Sequence, residues 1–407
     1  MTDQAIPLFR QRAFIRFLYV RVAAAVALQV QVVAVGWQMY ELTGNPFDLG
    51  LVGLVQFIPA IGFFLVTGHV ADRYDRRVVT FVAQAVEASA ALVLTAAVVT
   101  GRLTPGLLLA MSFVAGAGRA FEQPSLQSML SNIVTGNALP RAVAASTSGA
   151  QAAVVAGPAL GGALIALSPT VVFAASALLW LSAGLVMLSI AIERVAVKRA
   201  PVDLKTVFSG IAFIGRHRIV LGAILLDLFA VLLGSVTALL PVFTRDIFAS
   251  GPLSFGALRA APAAGALVTA LVLTRWPIGR HVGPAMFVTV AIFGTGTILL
   301  ALSSHLILAM AAMVVVGASD TVSVVIRQTL VQLRTPDDMR GRVFAVNSMV
   351  TITSNQLGDF RAGTVAALIG TIPTVLIGGL STLGVVLISL VVFHDLAKAD
   401  SYETGPP

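Results

Sequence analysis

The chain has 407 residues, 57% of them hydrophobic and only 11% charged, whereas a soluble domain carries about a quarter charged residues; lipid is therefore the solvent most of its surface expects, and a soluble enzyme is excluded. Its formal net charge is +8, but the basic residues are scattered between apolar runs and form no patch with interleaved aromatics, which excludes a nucleic-acid partner. There is no cysteine, so disulfides, thiolate catalysis and thiolate metal sites are excluded as well.

Apolar runs of about twenty residues, the length a bilayer core demands, recur along the chain and are continuous, not alternating, which points to helices and not to a barrel. The spacing predicts an all-α integral membrane protein with twelve transmembrane spans, at 17–42, 47–68, 78–100, 105–126, 141–166, 170–192, 217–243, 252–274, 284–302, 305–327, 342–367 and 371–393. Short polar or rigid breaks separate them, among them Thr43-Gly44-Asn45-Pro46, Thr104-Pro105-Gly106, Ser168-Pro169 and Ser250-Gly251-Pro252. With the amino terminus in the cytoplasm, inner segments hold Arg10, Arg12, Arg16, Arg73, Arg76, Arg77, Arg141, Arg194, Lys198 and many more bases, and outer segments hold only Arg102 and Arg245. This asymmetry places both termini on the cytoplasmic side of a bacterial-type inner membrane.

No small-residue cleavage site precedes Trp37, so the first apolar stretch is read as a retained span and not as a signal peptide. Within it, Gln31 and Gln38 are candidates to meet a substrate, and Arg21 is either a counter-charge there or a headgroup-level base. The loop after the second span reads Gly68-His69-Val70-Ala71-Asp72-Arg73-Tyr74-Asp75-Arg76-Arg77. It resembles the Gly-x-x-x-Asp-Arg-x-x-Arg-Arg signature of the major facilitator superfamily, with Asp75 standing where glycine is usual. The resemblance implies two pseudo-symmetric six-helix bundles around a central cavity, working by alternating access, with this loop as a cytoplasmic latch. In that latch Gly68 would permit close helix approach, Asp72 would cap the eleventh span, and Arg73, Arg76 and Arg77 would pair with an acid of the fourth span, Glu122.

Glu87 in the third span and Asp227 in the seventh each lie about ten residues from a span end, where a carboxyl group in a low dielectric can hold a proton, as proton coupling requires. The resemblance favours Asp227, because the seventh span faces the cavity in the family and the third is peripheral. The fifth span contains Ala156-Gly157-Pro158-Ala159-Leu160-Gly161-Gly162, similar to the Gly-Pro-x-x-Gly-Gly motif of exporters and antiporters in the superfamily. Its glycines allow close packing and its proline a bend, which suits a helix sliding against the opposite half. The polar stretch 194–216 reads as a cytoplasmic linker between bundles at 1–193 and 217–407. A shift of 201 residues lays Gln127 on Gln328, Arg141 on Arg342, Ala144 on Ala345 and Gly162 on Gly363, as duplicated halves of a transporter would require.

The same shift lays Arg119 of the fourth span on Asp320 of the tenth. Both spans line the cavity in the superfamily, so the resemblance implies that these charges face each other, as a gate remade in each cycle or as a static ion pair. Arg327, two turns beyond Asp320, is expected to snorkel to the inner interface. In the eleventh span Gly358-Asp359-Phe360-Arg361 replaces the glycine-proline motif, and Ser348, Thr351, Asn355 and Asp359 gather on one face, either lining the cavity or bonding to neighbouring helices. The segment Arg334-Thr335-Pro336-Asp337-Asp338-Met339-Arg340-Gly341-Arg342-Val343 resembles Thr-Pro-x-x-x-Arg-Gly-Arg-Val of the branch that contains the enterobactin exporter and macrolide efflux proteins.

The five histidines, His69, His217, His281, His305 and His394, lie in loops or at helix ends without metal-ligand spacing, and no phosphate-cradling glycine loop is followed by lysine. No enzyme activity, no metal and no cofactor other than a proton gradient is expected. The reading is a monomeric, lipid-embedded, proton-coupled antiporter exporting a small organic molecule such as a siderophore, drug or hydrophobic metabolite. A nutrient importer or proton symporter and a non-transporting membrane sensor are the alternatives.

Overall fold

The computed structural model describes residues 8–63, 66–67, 70, 73–134, 138–191 and 204–402. Gly68, Asp72 and residues 194–203 of the expected linker lie outside the described residues. The rest is helical: α1 (Arg12–Thr43), α2 (Pro46–Gly62), α3 (Arg76–Val99), α4 (Pro105–Ile133), α5 (Leu139–Leu167), α6 (Pro169–Leu188), α7 (Leu204–Arg216), α8 (Arg218–Gly234), α9 (Pro252–Arg275), α10 (Val282–Leu302), α11 (Leu306–Leu333), α12 (Asp337–Ile369) and α13 (Thr371–Val392).

Helix ends follow from local chemistry. Thr104 Oγ1 accepts from the Leu107 N–H at 3.2 Å, and Ser168 Oγ accepts from the Thr170 N–H at 3.1 Å. In both cases a proline occupies the first helical position, where its missing N–H does no harm. The turns after α1 and α12 pass through positive φ at Gly44 (+60°) and Gly370 (+91°), which a β-carbon would strain.

Among the described residues, nine helical stretches are long and apolar enough to cross a membrane, α8 being counted with its continuation to Ile247. The other helices at expected span positions are α2, an apolar helix of 17 residues, and α4 and α12, of 29 and 33 residues. Arg119 and Glu122 dilute the apolar character of α4, and Asn347, Asn355, Asp359 and Arg361 that of α12. Part of the polar stretch 194–216 is itself helical, as α7.

The chain divides into two compact units, Met1–Leu42 with Val55–Pro201, and Thr43–Leu54 with Val202–Pro407. The first has a core of Phe14, Phe17 and Val20 from α1 with Met129 from α4 and Met187 from α6. The second centres on Leu226, Met286, Val290, Ile326, Leu330 and Val386, from α8, α10, α11 and α13. Outward faces stay apolar, with Leu185 62% and Val391 80% exposed, as lipid contact requires.

Close helix contacts repeat in the two units. A β-carbon at Gly157 of α5 would meet the Gln29 side chain of α1 at 2.5 Å, and one at Gly161 would meet Val33 at 3.0 Å. In the second unit a β-carbon at Gly358 of α12 would lie 3.0 Å from the Val231 carbonyl oxygen and from Ser235, next to α8. Adding 201 to 157 gives 358 and adding 201 to 29 gives 230, one residue before Val231, so the two glycines pack on neighbouring positions of the corresponding helices. Gly157 and Gly161 thus pack α5 on α1 of their own unit. In the second unit, Gly363 and Gly50 let α12 approach the start of α2, the would-be β-carbon of Gly363 being 2.6 Å from the Pro46 carbonyl oxygen.

The seventh span departs from the expected continuous helix 217–243. It is α-helical to Gly234, extended at Ser235 (ψ 134°), 3-10 over Thr237–Leu239, and carries a π turn over Phe243–Ile247. Pro241 cannot donate to residue 237 and its ring crowds that carbonyl, so an unbroken helix is disfavoured there. The broken backbone needs a substitute acceptor, and Asp359 supplies one, taking bonds from the Ser235 hydroxyl at 2.5 Å and from the Ala238 N–H.

Candidate functional site

Each unit buries a polar cluster that a hydrocarbon surrounding cannot satisfy. In the first unit Gln84 and Glu87 share a face of α3, and Arg119 and Glu122 share a face of α4, each pair being three residues apart. Gly118 brings the two helices together, since a β-carbon there would lie 2.9 Å from the Ala83 carbonyl oxygen and from Glu87 Cγ. Gln84 Nε2 donates to Glu122 Oε1 at 2.8 Å, and both glutamates are buried. Arg119, which is exposed, acts electrostatically on Glu87 and Glu122, and Arg21 of α1 acts on Glu122. Two arginines thus offset two carboxylates, while Arg21 Nε and Glu87 Oε2 have no hydrogen-bond partner among the described residues.

Glu122 therefore faces Gln84, Arg119 and Arg21, which corrects its expected pairing with the loop arginines. Arg77 instead binds Asp75 at 2.7 Å and donates to the Ile190 carbonyl oxygen at 2.9 Å. Asp75, at the position where glycine is usual, caps α3 by accepting from the Arg77 N–H at 3.0 Å. Arg73 is exposed and Arg76 half-buried. The glutamines of α1 are engaged locally: Gln31 Oε1 accepts from Trp180 Nε1 at 3.3 Å, and Gln38 Nε2 donates to Glu41 Oε2 at 2.8 Å.

The second unit holds two clusters at different depths. In the first, Asp227 of α8 pairs with Arg327 of α11 at 3.1 Å, the side chains being 4% and 1% exposed. Arg327 Nη1 also donates to Asn347 Oδ1 at 2.7 Å and Thr351 Oγ1 at 2.9 Å on α12. Arg327 does not snorkel; α11 runs on to Leu333, which keeps the guanidinium inside the bundle, where three acceptors replace water. Asp320, two turns earlier on the same helix, lies in the electrostatic field of both Asp227 and Arg327. A cavity of about 10 Å³ lies beside them, lined by Asp227, Ser319, Asp320 and Ser323, which is roughly room for one water. Of the two carboxylates, Asp227 is the one in contact with the guanidinium.

The second cluster sits at the break in the seventh span. Asp359 holds Ser235 and Ala238, and Arg259 of α9 and Arg361 of α12 both act on it electrostatically. Arg361 Nε is buried and without a hydrogen-bond partner among the described residues. Asn355, a turn before, is exposed and donates to the Thr351 carbonyl oxygen at 2.8 Å. The polar face of the eleventh span thus bonds to α8 and α11 through Asp359, Thr351 and Asn347, while Asn355 stays open.

The sequence singles out Asp227, Asp320, Asp359 and Arg361 but not the groups that they meet in the structure, Arg327, Ser235 and Arg259 among them. Arg259 carried a signal, a base seven residues into an apolar run, and so did the seven-residue spacing of Asp320 and Arg327 on one helix face. Gln84, Asn347 and Ser235 carried none, because uncharged polar residues are common in membrane helices. Arg119 and Asp320, expected to meet, have the charged neighbours named above within their own units.

A sequence model of the family described as transmembrane secretion effector matches residues 4–406. The uncharacterized MFS-type transporter YfiS of Bacillus subtilis strain 168 is similar, 25% identical over 413 residues that cover 95% of this chain and 94% of that protein. Macrolide efflux protein A of Streptococcus pyogenes is 22% identical over 351 residues, covering 83% of this chain and 85% of its own. Among solved structures, a mutant form of the nucleoside transporter NupG superposes with a TM-score of 0.73 at 15% identity, covering 94% of this chain and 100% of that one, a likeness of fold alone.

Proposed function

The chain belongs to the transmembrane secretion effector family of major facilitator transporters, and from that membership we propose that it is a proton-coupled antiporter exporting a small organic molecule across a bacterial inner membrane by alternating access. It is a multi-pass membrane transporter and not an enzyme, as its family and relatives are transporters. The export direction is supported by the macrolide efflux relative and by the glycine-proline motif of α5. Twelve spans in two six-helix bundles, termini in the cytoplasm, a monomeric state and a latch formed by Gly68, Asp72, Arg73, Arg76 and Arg77 complete the reading.

One observation carries the coupling: Asp320 lines the same water-sized cavity as Asp227, and it is Asp227 that is paired with Arg327. With both acids ionised, the site holds an excess negative charge away from bulk water, and one proton removes it. Asp227 is bonded directly to Arg327, so Asp320 is the carrier. It takes a proton when one side is open and releases it when water from the other side reaches the cavity. Asn355 and the cluster of Arg259, Asp359 and Arg361 offer polar contacts to the substrate.

In proteoliposomes an imposed pH gradient drives substrate flux, and Asp320→Asn reduces that flux at least tenfold while substrate exchange persists. Flux indifferent to the gradient in the unsubstituted protein would refute coupling. Deleting the gene raises intracellular substrate if the direction is export; lowered uptake would establish import instead. The expected Arg119–Asp320 pair belongs to the same reading, and reversing both charges together restores more exchange than either reversal alone. Strict additivity would show that the two groups never meet.

A further inference from the structure

The second unit contains a large basic cavity well away from the buried acids. About 1000 Å³ of space lies between the start of α8, the end of α11 and the start of α12, where Arg216, Arg218, Arg334 and Arg340 face two carboxylates, Asp337 and Asp395. Two of the arginines are already engaged. Arg340 pairs with Asp337 at 2.6 Å, and Arg334 donates to the Tyr402 carbonyl oxygen at 3.1 Å and the Ser401 carbonyl oxygen at 3.4 Å, which brings the carboxy-terminal tail against this wall. Arg216 and Arg218 make no ion pair and no side-chain hydrogen bond among the described residues. They flank His217, whose ring stacks on Phe213 at 3.9 Å and whose Nδ1 lies 2.8 Å from the Phe213 carbonyl oxygen, so the turn that presents both guanidiniums is held in place.

Depth and lining narrow what this cavity takes. One candidate membrane stretch begins at Arg218 and another ends at Leu333, so the cavity opens at headgroup level. Ile219, Val220 and Leu333 add an apolar wall to the cationic one. The amphipathic helix α7 leads into it with Phe208 and Ile211 exposed, the pattern of a helix lying in a membrane interface. Guanidinium groups match phosphate oxygens in charge and geometry.

We propose that this cavity is a binding site for a phosphate group, with Arg216 and Arg218 as its principal ligands. The group can arrive on the headgroup of an anionic phospholipid or as a free phosphate. The site needs neither a direction of transport nor proton coupling, so it goes beyond the function proposed above.

The test uses the full chain, delipidated in detergent. Phosphatidylglycerol and phosphatidylcholine adducts are counted by native mass spectrometry, and inorganic phosphate is titrated as a competitor and in a thermal-shift assay. Arg216→Gln with Arg218→Gln is expected to weaken phosphatidylglycerol binding by roughly tenfold to thirtyfold, because each substitution removes a basic group that attracts the anionic headgroup. Arg216→Lys with Arg218→Lys keeps most of the binding, and Arg275→Gln with Arg280→Gln, which removes equal charge elsewhere, changes it by less than about threefold. Competition by millimolar phosphate identifies a site that free phosphate can fill, and retention of phosphatidylglycerol against phosphate identifies the lipid headgroup as the source; either supports the site. Equal losses in the cavity variant and the charge-matched control, or no loss in either, would overturn it.

Discussion

The buried clusters of the two units differ in charge balance although they occupy related helices. In the first, Arg21 and Arg119 stand against Glu87 and Glu122, and the sum is neutral. In the second, the cluster on α8 and α11 sets Arg327 against Asp227 and Asp320, and the cluster at the break sets Arg259 and Arg361 against Asp359. A shift of 201 residues lays Arg119 on Asp320, Glu122 on Ser323 and Leu126 on Arg327, so the charges differ at the positions that the shift aligns. A balanced cluster can stay buried through a cycle without exchanging anything. An unbalanced one is at ease only when a proton or another cation joins it, which makes the second unit the place to look for coupling.

The largest effect that sharpens this contrast is removal of the shared base. Arg327→Met leaves the buried Asp227 without its counter-charge and strips Asn347 and Thr351 of their donor, and is expected to lower stability by about 3–5 kcal/mol, read from the unfolding midpoint in detergent. Adding Asp227→Asn to Arg327→Gln should recover much of that loss, because the pair is then neutral and can still hydrogen-bond. An intermediate effect concerns the repeated helix contacts. Gly157→Ala, whose new methyl group meets Gln29 at 2.5 Å, is expected to cost about 1–3 kcal/mol. Gly358→Ala, with its nearest neighbours at 3.0 Å, should cost less in the same assay. The smallest effect should come from the balanced cluster. Glu122→Gln retains an acceptor for Gln84 and is expected to change stability by about 1 kcal/mol and pH-driven flux by less than about twofold. Loss of flux as large as in Asp320→Asn would erase the distinction between the units.

Much of the helical frame is legible in the sequence because strong signals coincide at its boundaries. Ser168-Pro169 is both a side-chain cap and a first-turn proline, and Gly44 is both polar-loop punctuation and a positive φ. Hydropathy makes the seventh span look continuous, since it does not register that Pro241 breaks a hydrogen-bond ladder whose loose ends Ser235 and Asp359 then tie up. Arg327 misleads for a related reason. Six residues from the end of α11, it has the reach to snorkel, and only the packing of α12 against α11 brings Asn347 and Thr351 close enough to hold it inside. The glycines of α5 are close-packing residues, as their pattern indicates, but the helix they pack against is α1 of the same unit.

From its residues alone this chain was bound to be a bundle of apolar helices in lipid, because an 11% charged composition and runs of span length admit little else. Which charges stand together was decided by tertiary structure. Helix spacing sets the face a residue occupies, but pairing Asp227 with Arg327, or Asp359 with a break in α8, depends on how separate helices are rotated about their axes. That rotation is set by the sum of many small packing contacts and by the need to satisfy every polar group that lipid cannot hydrate.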